Sequence, residues 1–260
     1  MAVRLALIDG LNLVRRVFAG VPGDEQTAEH TQEALASVNR SLARLLEQVS
    51  PTHALAIFDA PPPTWRHHLH PGYKATRPPM PSALSDALDG FEDAFTERNI
   101  TVKRIATFEA DDVIATIAIK AGDACAEVVV VSTDKSLLSL IAPNVYVWHH
   151  FDATYKTRQD VERRYGVSPE KLLDFLALVG DGGLGIPGVA GIGPKAAVQL
   201  LDEFGSLSAA LGAERKPADR ISKLLHENRE NALLSRKLTY LKTDIDVGVN
   251  LRDLRLKSGA

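Results

Sequence analysis

The segment FEADDVIATIA places Glu109, Asp111 and Asp112 within one short stretch at the start of a helical pattern. Acidic residues suit a helix start, so capping alone accounts for one or two of them. Three further carboxylates, Asp9, Asp59 and Asp134, stand at the ends of the apolar runs RLALIDG, HALAIFDA and AEVVVVSTD. Like charges packed together repel unless cations neutralise them. All-oxygen donors of this kind suit Mg²⁺ or Mn²⁺, with water completing the shell. Phosphodiester cleavage is the chemistry such clusters serve: one ion acidifies a water, and a second, about 4 Å away, stabilises the leaving oxygen. No Ser/His/Asp arrangement competes. The local group His67, His68 and His70 lacks the ligand types and spacing of a closed zinc site and reads as solvated or strand-contacting.

A second constellation is VGDGGLGIPGVAGIGPKAAVQLL, residues 179–201. Three phosphate-binding templates apply. A Walker A loop fails because Pro194 separates Gly193 from Lys195 and alanine follows. A dinucleotide fingerprint fails because Ala196 occupies the third glycine's place and the loop follows a helix, not a strand. Helix, tight glycine turn, helix is the arrangement that fits. Gly191 and Gly193 let backbone approach a phosphate, Pro194 suits a first helical turn, and the open amides there attract an anion. Lys195 adds charge for the next phosphate. Nothing in the turn reads a base, so the grip is on a sugar–phosphate strand, indifferent to sequence. The carbonyls of Leu178, Val179, Pro187, Val189 and Ile192 are placed to hold a monovalent cation bridging to that phosphate.

The elements that must position these groups alternate. RLALIDG, HALAIFDA, AEVVVVSTD and NVYVWHH are short buried-strand patterns, and amphipathic helices such as TAEHTQEALASVNRSLARLLEQV lie between them. That alternation predicts an α/β fold with a central, mostly parallel sheet flanked by helices. Ligands of such sheets sit beyond the carboxyl ends of the strands, so Asp9, Asp59 and Asp134 gather on one rim. From about Val161 the pattern turns all-helical. The chain therefore divides into an α/β core over 1–160 and a helical region over 161–260, with the glycine hairpin at about 170–204. The Pro-rich basic stretch PPPTWRHHLHPGYKATRPPMP is an excursion from the rim, expected to be mobile. Its Lys74 and Arg77 are either solvated or poised to steer a phosphate and stabilise a pentavalent transition state. Tyr73 is a candidate for stacking on a splayed base.

Bulk properties restrict little. The 260 residues carry 30 Lys+Arg against 33 Asp+Glu, so net charge −3 gives no global basicity, although a local basic patch averages away in such a sum. A single cysteine, Cys125, cannot make an internal disulfide and is expected to be a buried or partly buried thiol. The N-terminus lacks a signal-peptide pattern and no apolar run spans a membrane, so a cytoplasmic, nucleoid-associated setting is expected.

In order along the chain, LIDGLNLVRR, FD at Asp59, YKATRPPMP, EADD, STDK and IPGVAGIGPKAA resemble the 5′ nuclease, or flap endonuclease, family, and within it the small stand-alone bacterial form of exonuclease IX type. The resemblance covers nearly the whole chain. It implies a PIN-like core, a helical arch at about 61–98 carrying Lys74 and Arg77, and a helix-three-turn-helix element that contacts duplex DNA and binds K⁺. It also implies divalent-metal cleavage of DNA near 5′ flap junctions, by a monomer working alongside a polymerase or ligase. Asp9, Asp59, Glu109, Asp111, Asp112 and Asp134 match the family's metal carboxylates, with Asp111 central to catalysis.

Two departures stand out. Where the family pattern has DKD, Ser136 takes the second acid's place. Where it has GDxSDNIPG, this chain reads GDGGLGIPG, so Asp181 remains and Leu184 replaces an acid. A depleted second metal site follows, with one strong centre and a weaker one. The alternative is a DNA scaffold that binds flaps or gaps and cuts weakly or not at all. A ribonuclease of related fold does not require the helical hairpin.

Overall fold

The computed structural model describes residues 2–124, 126–213 and 220–257, so the expectation for Cys125 lies outside the described residues. In chain order the first elements are β1 (Arg4–Asp9), α1 (Gly10–Gly20), α2 (Ala28–Val49), β2 (His53–Ile57), α3 (Trp65–Leu69), α4 (Ser82–Asp86), α5 (Leu88–Thr96) and β3 (Thr101–Lys103). Next come α6 (Ala110–Asp123), β4 (Glu127–Val131), β5 (Val145–His149) and β6 (Thr154–Lys156). The rest is helical: α7 (Arg158–Tyr165), α8 (Leu172–Val179), α9 (Pro194–Phe204), α10 (Leu207–Gly212), α11 (Arg220–Glu227) and α12 (Arg229–Thr239).

Two compact units emerge. One comprises residues 1–61, 78–155 and 242–260; the other comprises 62–77 and 156–241. The division expected from the sequence, at 160/161, differs from these units at 62–77, 156–160 and 242–260, and the first and last of these have a physical cause.

The first unit is built on a six-stranded sheet of order β3-β2-β1-β4-β5-β6. Pairs β1–β2, β1–β4, β2–β3 and β4–β5 are parallel. The link from β5 to β6, residues 150–153, is too short for a crossover, so the edge is antiparallel and the sheet mixed. β1 and β4 are buried almost end to end, which is why their sequences read as continuous apolar runs. Beneath them pack Val14, Phe18, Val38, Leu42, Leu45, Phe91 and Phe95 from α1, α2 and α5. Chain order runs outward from β1 through β2 on one side and from β4 through β5 on the other. The order reverses between β1 and β4, and Asp9 and the residues after Val131 stand at the carboxyl ends of these strands, where sheets of this type take their ligands.

Residues 242–256 belong to this unit because they return to the sheet. The Lys242 amide donates to Asp112 Oδ1 (3.0 Å), Thr116 Oγ1 donates to the Lys242 carbonyl (3.0 Å), and Lys120 Nζ reaches the Ile245 carbonyl (3.3 Å). Farther along, Leu256 N–H donates to Thr52 O (3.0 Å) and Arg255 bridges antiparallel to His53.

In the second unit, α8 and α9 flank the glycine turn and α12 packs on α8. Residues 62–77 join it through Arg66, which is 2 % exposed. Its guanidinium donates to the carbonyls of Leu238 (2.9 Å) and Tyr240 (2.8 Å), at the open carboxyl end of α12. His67 Nδ1 bonds the Thr64 backbone amide and hydroxyl in a capping box that starts α3, which gives that histidine a local structural task. Among the described residues no helix is long and apolar enough to cross a membrane.

Candidate active site

Each rim carboxylate is held by a different element. Asp9 ends β1 and caps α1, accepting the Asn12 N–H (3.1 Å) on one oxygen and the Ser132 hydroxyl (2.8 Å) on the other. Asp59, just past β2, accepts the Ala110 amide (2.7 Å) and so serves as the N-terminal partner of α6 from outside the helix. Glu109 holds the N-cap backbone position of α6 and is only 4 % exposed. Asp111 lies in the first turn of α6, and Asp134 follows β4.

Electrostatics tie these five together. Burial, then the charge of Asp59, pushes Asp9 up from 3.8 to about 7, against the lowering effect of its Ser132 and Asn12 hydrogen bonds. Burial also raises Asp111 well above the ordinary carboxylate range, and Asp134, Asp9, Asp59 and Glu109 reinforce it. The interaction is mutual: carboxylates close enough to disfavour one another's ionisation form one anionic field.

Ser136 occupies the depleted acidic place and supplies donors. Its amide and hydroxyl each donate to Asp134 Oδ1 (2.7 Å), and the hydroxyl reaches Asp111 Oδ2 (3.4 Å). A neutral donor here relieves two neighbouring carboxylates where another acid would add repulsion.

Asp112 is placed differently from its neighbour. Successive helix positions point about 100° apart, and Asp112 is 0 % exposed on the inward side of α6, holding the Lys242 amide. This carboxylate, expected in the metal set, also anchors the returning chain through Oδ1.

The donor set fits a hard divalent cation, because it is all oxygen, anionic and electrostatically strained. Among the described residues no group of three or more His, Cys, Asp or Glu is arranged so that it could hold a metal ion. Mg²⁺ needs none, since it keeps most of its waters and takes one or two carboxylates together with substrate phosphate.

The sequence reading missed the polar chain beside Asp9. Arg16 Nη1 donates to Thr133 Oγ1 (2.7 Å), whose hydroxyl donates to Asn12 Oδ1 (2.9 Å), and the Asn12 amide reaches Asp9. Arg16 also lies 5.3 Å from the centroid of the exposed Phe151 ring. The signal was present in LNLVRR, where an exposed arginine is seven residues, two helical turns, beyond Asp9.

The remaining candidates lie in the helical unit. Asp181 caps the 3₁₀ turn Gly182–Leu184, accepting the Leu184 amide (3.2 Å). Gly193 caps α9 with no side-chain hydrogen bond, and a Cβ built on it meets nothing within 4 Å. Pro194 opens that helix, Lys195 is exposed, Ala196 half-buried and Gly191 exposed. Of the five candidate carbonyls, that of Leu178 accepts the Val189 amide (2.9 Å) and that of Val189 accepts the Ile192 amide (3.0 Å), each keeping a second lone pair. Val179 and Pro187 flank the crossing at Gly188, whose Cβ would lie 2.8 Å from the Val179 carbonyl. Lys74 is half-buried and Arg77 exposed. Tyr73, expected to stack on a base, is 5 % exposed, packed against Ile186 and Leu238 with its ring edge-on to His67.

Residues 4–166 match the 5′-3′ exonuclease N-terminal resolvase-like domain, and residues 167–260 match the 5′-3′ exonuclease C-terminal SAM fold. The chain belongs to the 5′-3′ exonuclease family. Among its relatives in that family is Flap endonuclease Xni of Shewanella pealeana, 40% identical over 254 residues, covering 98% of this chain and 97% of that protein. Flap endonuclease Xni of Shewanella putrefaciens is likewise 40% identical, with 98% and 95% covered. Of solved structures, T5 5′-exonuclease with bound zinc superposes with a TM-score of 0.76 at 22% identity, covering 92% of this chain and 90% of that one. A bacteriophage T5 flap endonuclease bound to DNA and metal ions gives 0.73 at 22% identity, with the same coverage. At that identity the two T5 structures establish a shared 5′-3′ exonuclease fold.

Proposed function

We propose that the protein is a Mg²⁺-dependent, structure-specific 5′ nuclease that hydrolyses DNA near the junction of a 5′ flap with duplex. The observation that carries this reading is the field of five carboxylates at the sheet's topological switch, two of which are driven upward by burial and mutual repulsion. Relatives 40% identical over nearly their whole length bear the name flap endonuclease.

A bound divalent ion supplies Lewis acidity and an acidified water. Asp9, Asp59, Glu109, Asp111 and Asp134 would attract it by their shared charge, and carboxylates of this set would hold it together with water. Ser132 and Asn12 fix Asp9, the Ala110 amide fixes Asp59, and Ser136 fixes Asp134, so the donors are pre-oriented by neutral groups. Lys74 and Arg77 counter charge on the phosphate. Asp181 is the family-pattern acid retained for a second, weaker ion. Gly191, Ile192, Gly193, Pro194, Lys195 and Ala196 grip the duplex backbone through open amides and one cation. The carbonyls of Leu178, Val179, Pro187, Val189 and Ile192 would hold K⁺, whose charge would favour a phosphate at that turn.

The neutral residues Ser136 and Leu184 favour a second reading, a scaffold that binds flaps without cutting. A 5′-flap duplex incubated with Mg²⁺ separates the two. The unmutated protein should release the flap, while Asp111→Ala abolishes cutting and keeps junction affinity within about tenfold, since it removes chemistry and not the phosphate grip. Flaps bound but uncut across Mg²⁺ and Mn²⁺ series would establish the scaffold.

A further inference from the structure

Lys74 stands apart on backbone grounds. Its φ is +55°, in the left-handed region that a lysine seldom adopts. Such a conformation persists only where surrounding contacts over-determine it. Here the Lys74 amide donates to the Leu184 carbonyl (2.9 Å), and the ammonium lies 5.2 Å from the Tyr73 ring centroid. Tyr73 is itself locked in a small apolar cluster with Ile186 and Leu238, against which Leu69, Leu184 and Leu234 pack.

The other face of this contact is Gly185, at φ +67°. A Cβ built there would overlap the Gly72 carbonyl oxygen and stand 3.0 Å from the Gly72 carbonyl carbon and 3.4 Å from Tyr73 Cα. Two backbones therefore meet where one residue has no side chain and the other is held off its preferred conformation. The turn bearing Leu184 and Gly185 is closed at its base, because Asp181 bridges to Ile186 and accepts the Leu184 amide.

We propose that this turn is a positioning element for Lys74: the Leu184 carbonyl and the bare Cα of Gly185 set the backbone, and so the direction of the charge, of the loop at residues 72–74. The proposal rests on the nuclease reading above, in which Lys74 addresses a phosphate. It gives the departure at Leu184 a purpose. A position that carries an acid in the resembled family pattern has become an apolar contact that steadies a cation.

The test is a double-mutant cycle with a second, activity-free readout. Gly185→Val forces the Gly72 backbone away. It should lower kcat on a 5′-flap substrate at least tenfold, as should Lys74→Ala, while KM moves less than about threefold. In the Lys74→Ala background the same substitution should cost less than about twofold more, because the turn acts through the lysine. Hydrogen exchange at the Lys74 amide should accelerate at least tenfold in Gly185→Val, while the Gly188 amide, bonded to Ser235 Oγ (2.9 Å), stays protected. If Gly185→Val does not fold, Leu184→Ala loosens the apolar contact without a clash and is read by the same exchange. Independent, multiplying losses in the cycle overturn the proposal, as does unchanged Lys74 exchange in the folded variants. An unmutated protein that cuts no flap sinks the nuclease reading instead, and the exchange result still decides the positioning.

Discussion

Asp9→Asn should make the metal-free protein more stable at neutral pH and leave it nearly unchanged at pH 4. Asp9 is 6 % exposed, and burial with the neighbouring Asp59 lifts its carboxyl from 3.8 to about 7. A carboxyl whose folded value is raised binds its proton more tightly in the folded state. Its contribution is intact below the unfolded value and disappears as pH climbs through the folded one. The window is therefore pH 4 to 7. At about 1.4 kcal/mol per pH unit, the full rise is worth about 4 kcal/mol. Part of that is shared with Asp59, so the wild type should fall behind the variant by about 2–4 kcal/mol, or roughly 5–15 °C in Tm for a chain of this size. Asparagine keeps an acceptor for the Asn12 amide and carries no charge at any pH. The assay is thermal unfolding of both proteins in chelator from pH 4 to 8, repeated with saturating Mg²⁺. Metal should raise the wild-type Tm at pH 8 and move the variant far less. A stability gap that ignores pH, or an equal response of both proteins to Mg²⁺, would refute the argument that Asp9 is strained by its neighbours and relieved by a cation.

Two further outcomes follow from other parts of the molecule. Lys195→Ala should weaken binding to all duplex sequences alike and reduce the slope of log affinity against log salt by about one charge; unequal losses between sequences would mean that the turn reads bases. Ser136→Asp removes a donor to Asp134 and Asp111 and adds a charge, so the metal-free protein should lose about 1–3 kcal/mol. Calorimetry should then find tighter Mg²⁺ uptake, and unchanged uptake would show that this position does not face the ion.

The strands and their terminal aspartates were legible because buried parallel strands read as unbroken apolar runs, and the carboxyl ends of such strands share one rim. Asp111 and Asp112 were indistinguishable in sequence, since the rotation of α6 about its axis is set by what packs beneath it. Tyr73 looked available for a base because its neighbours are polar and Pro-rich, and its burial depends on Ile186 and Leu238, far along the chain. The same distance hid the allegiance of residues 62–77, which rests on Arg66 meeting the end of α12 and on residues 72–74 meeting Leu184, Gly185 and Ile186. β3 escaped because three half-buried residues carry no periodic signal.

The return of residues 242–256 to the sheet has a bearing on how the polypeptide is made. Asp112, Lys120, Thr52 and His53 all await partners that leave the ribosome only after the entire helical unit has emerged. During synthesis the sheet is thus an unfinished structure, with a buried carboxylate lacking its amide and an open edge at the start of β2. A fragment cut at residue 166, where the N-terminal family match stops, would remain permanently in that state. It should accumulate as an aggregation-prone intermediate, and supplying residues 242–257 as a separate peptide should rescue it.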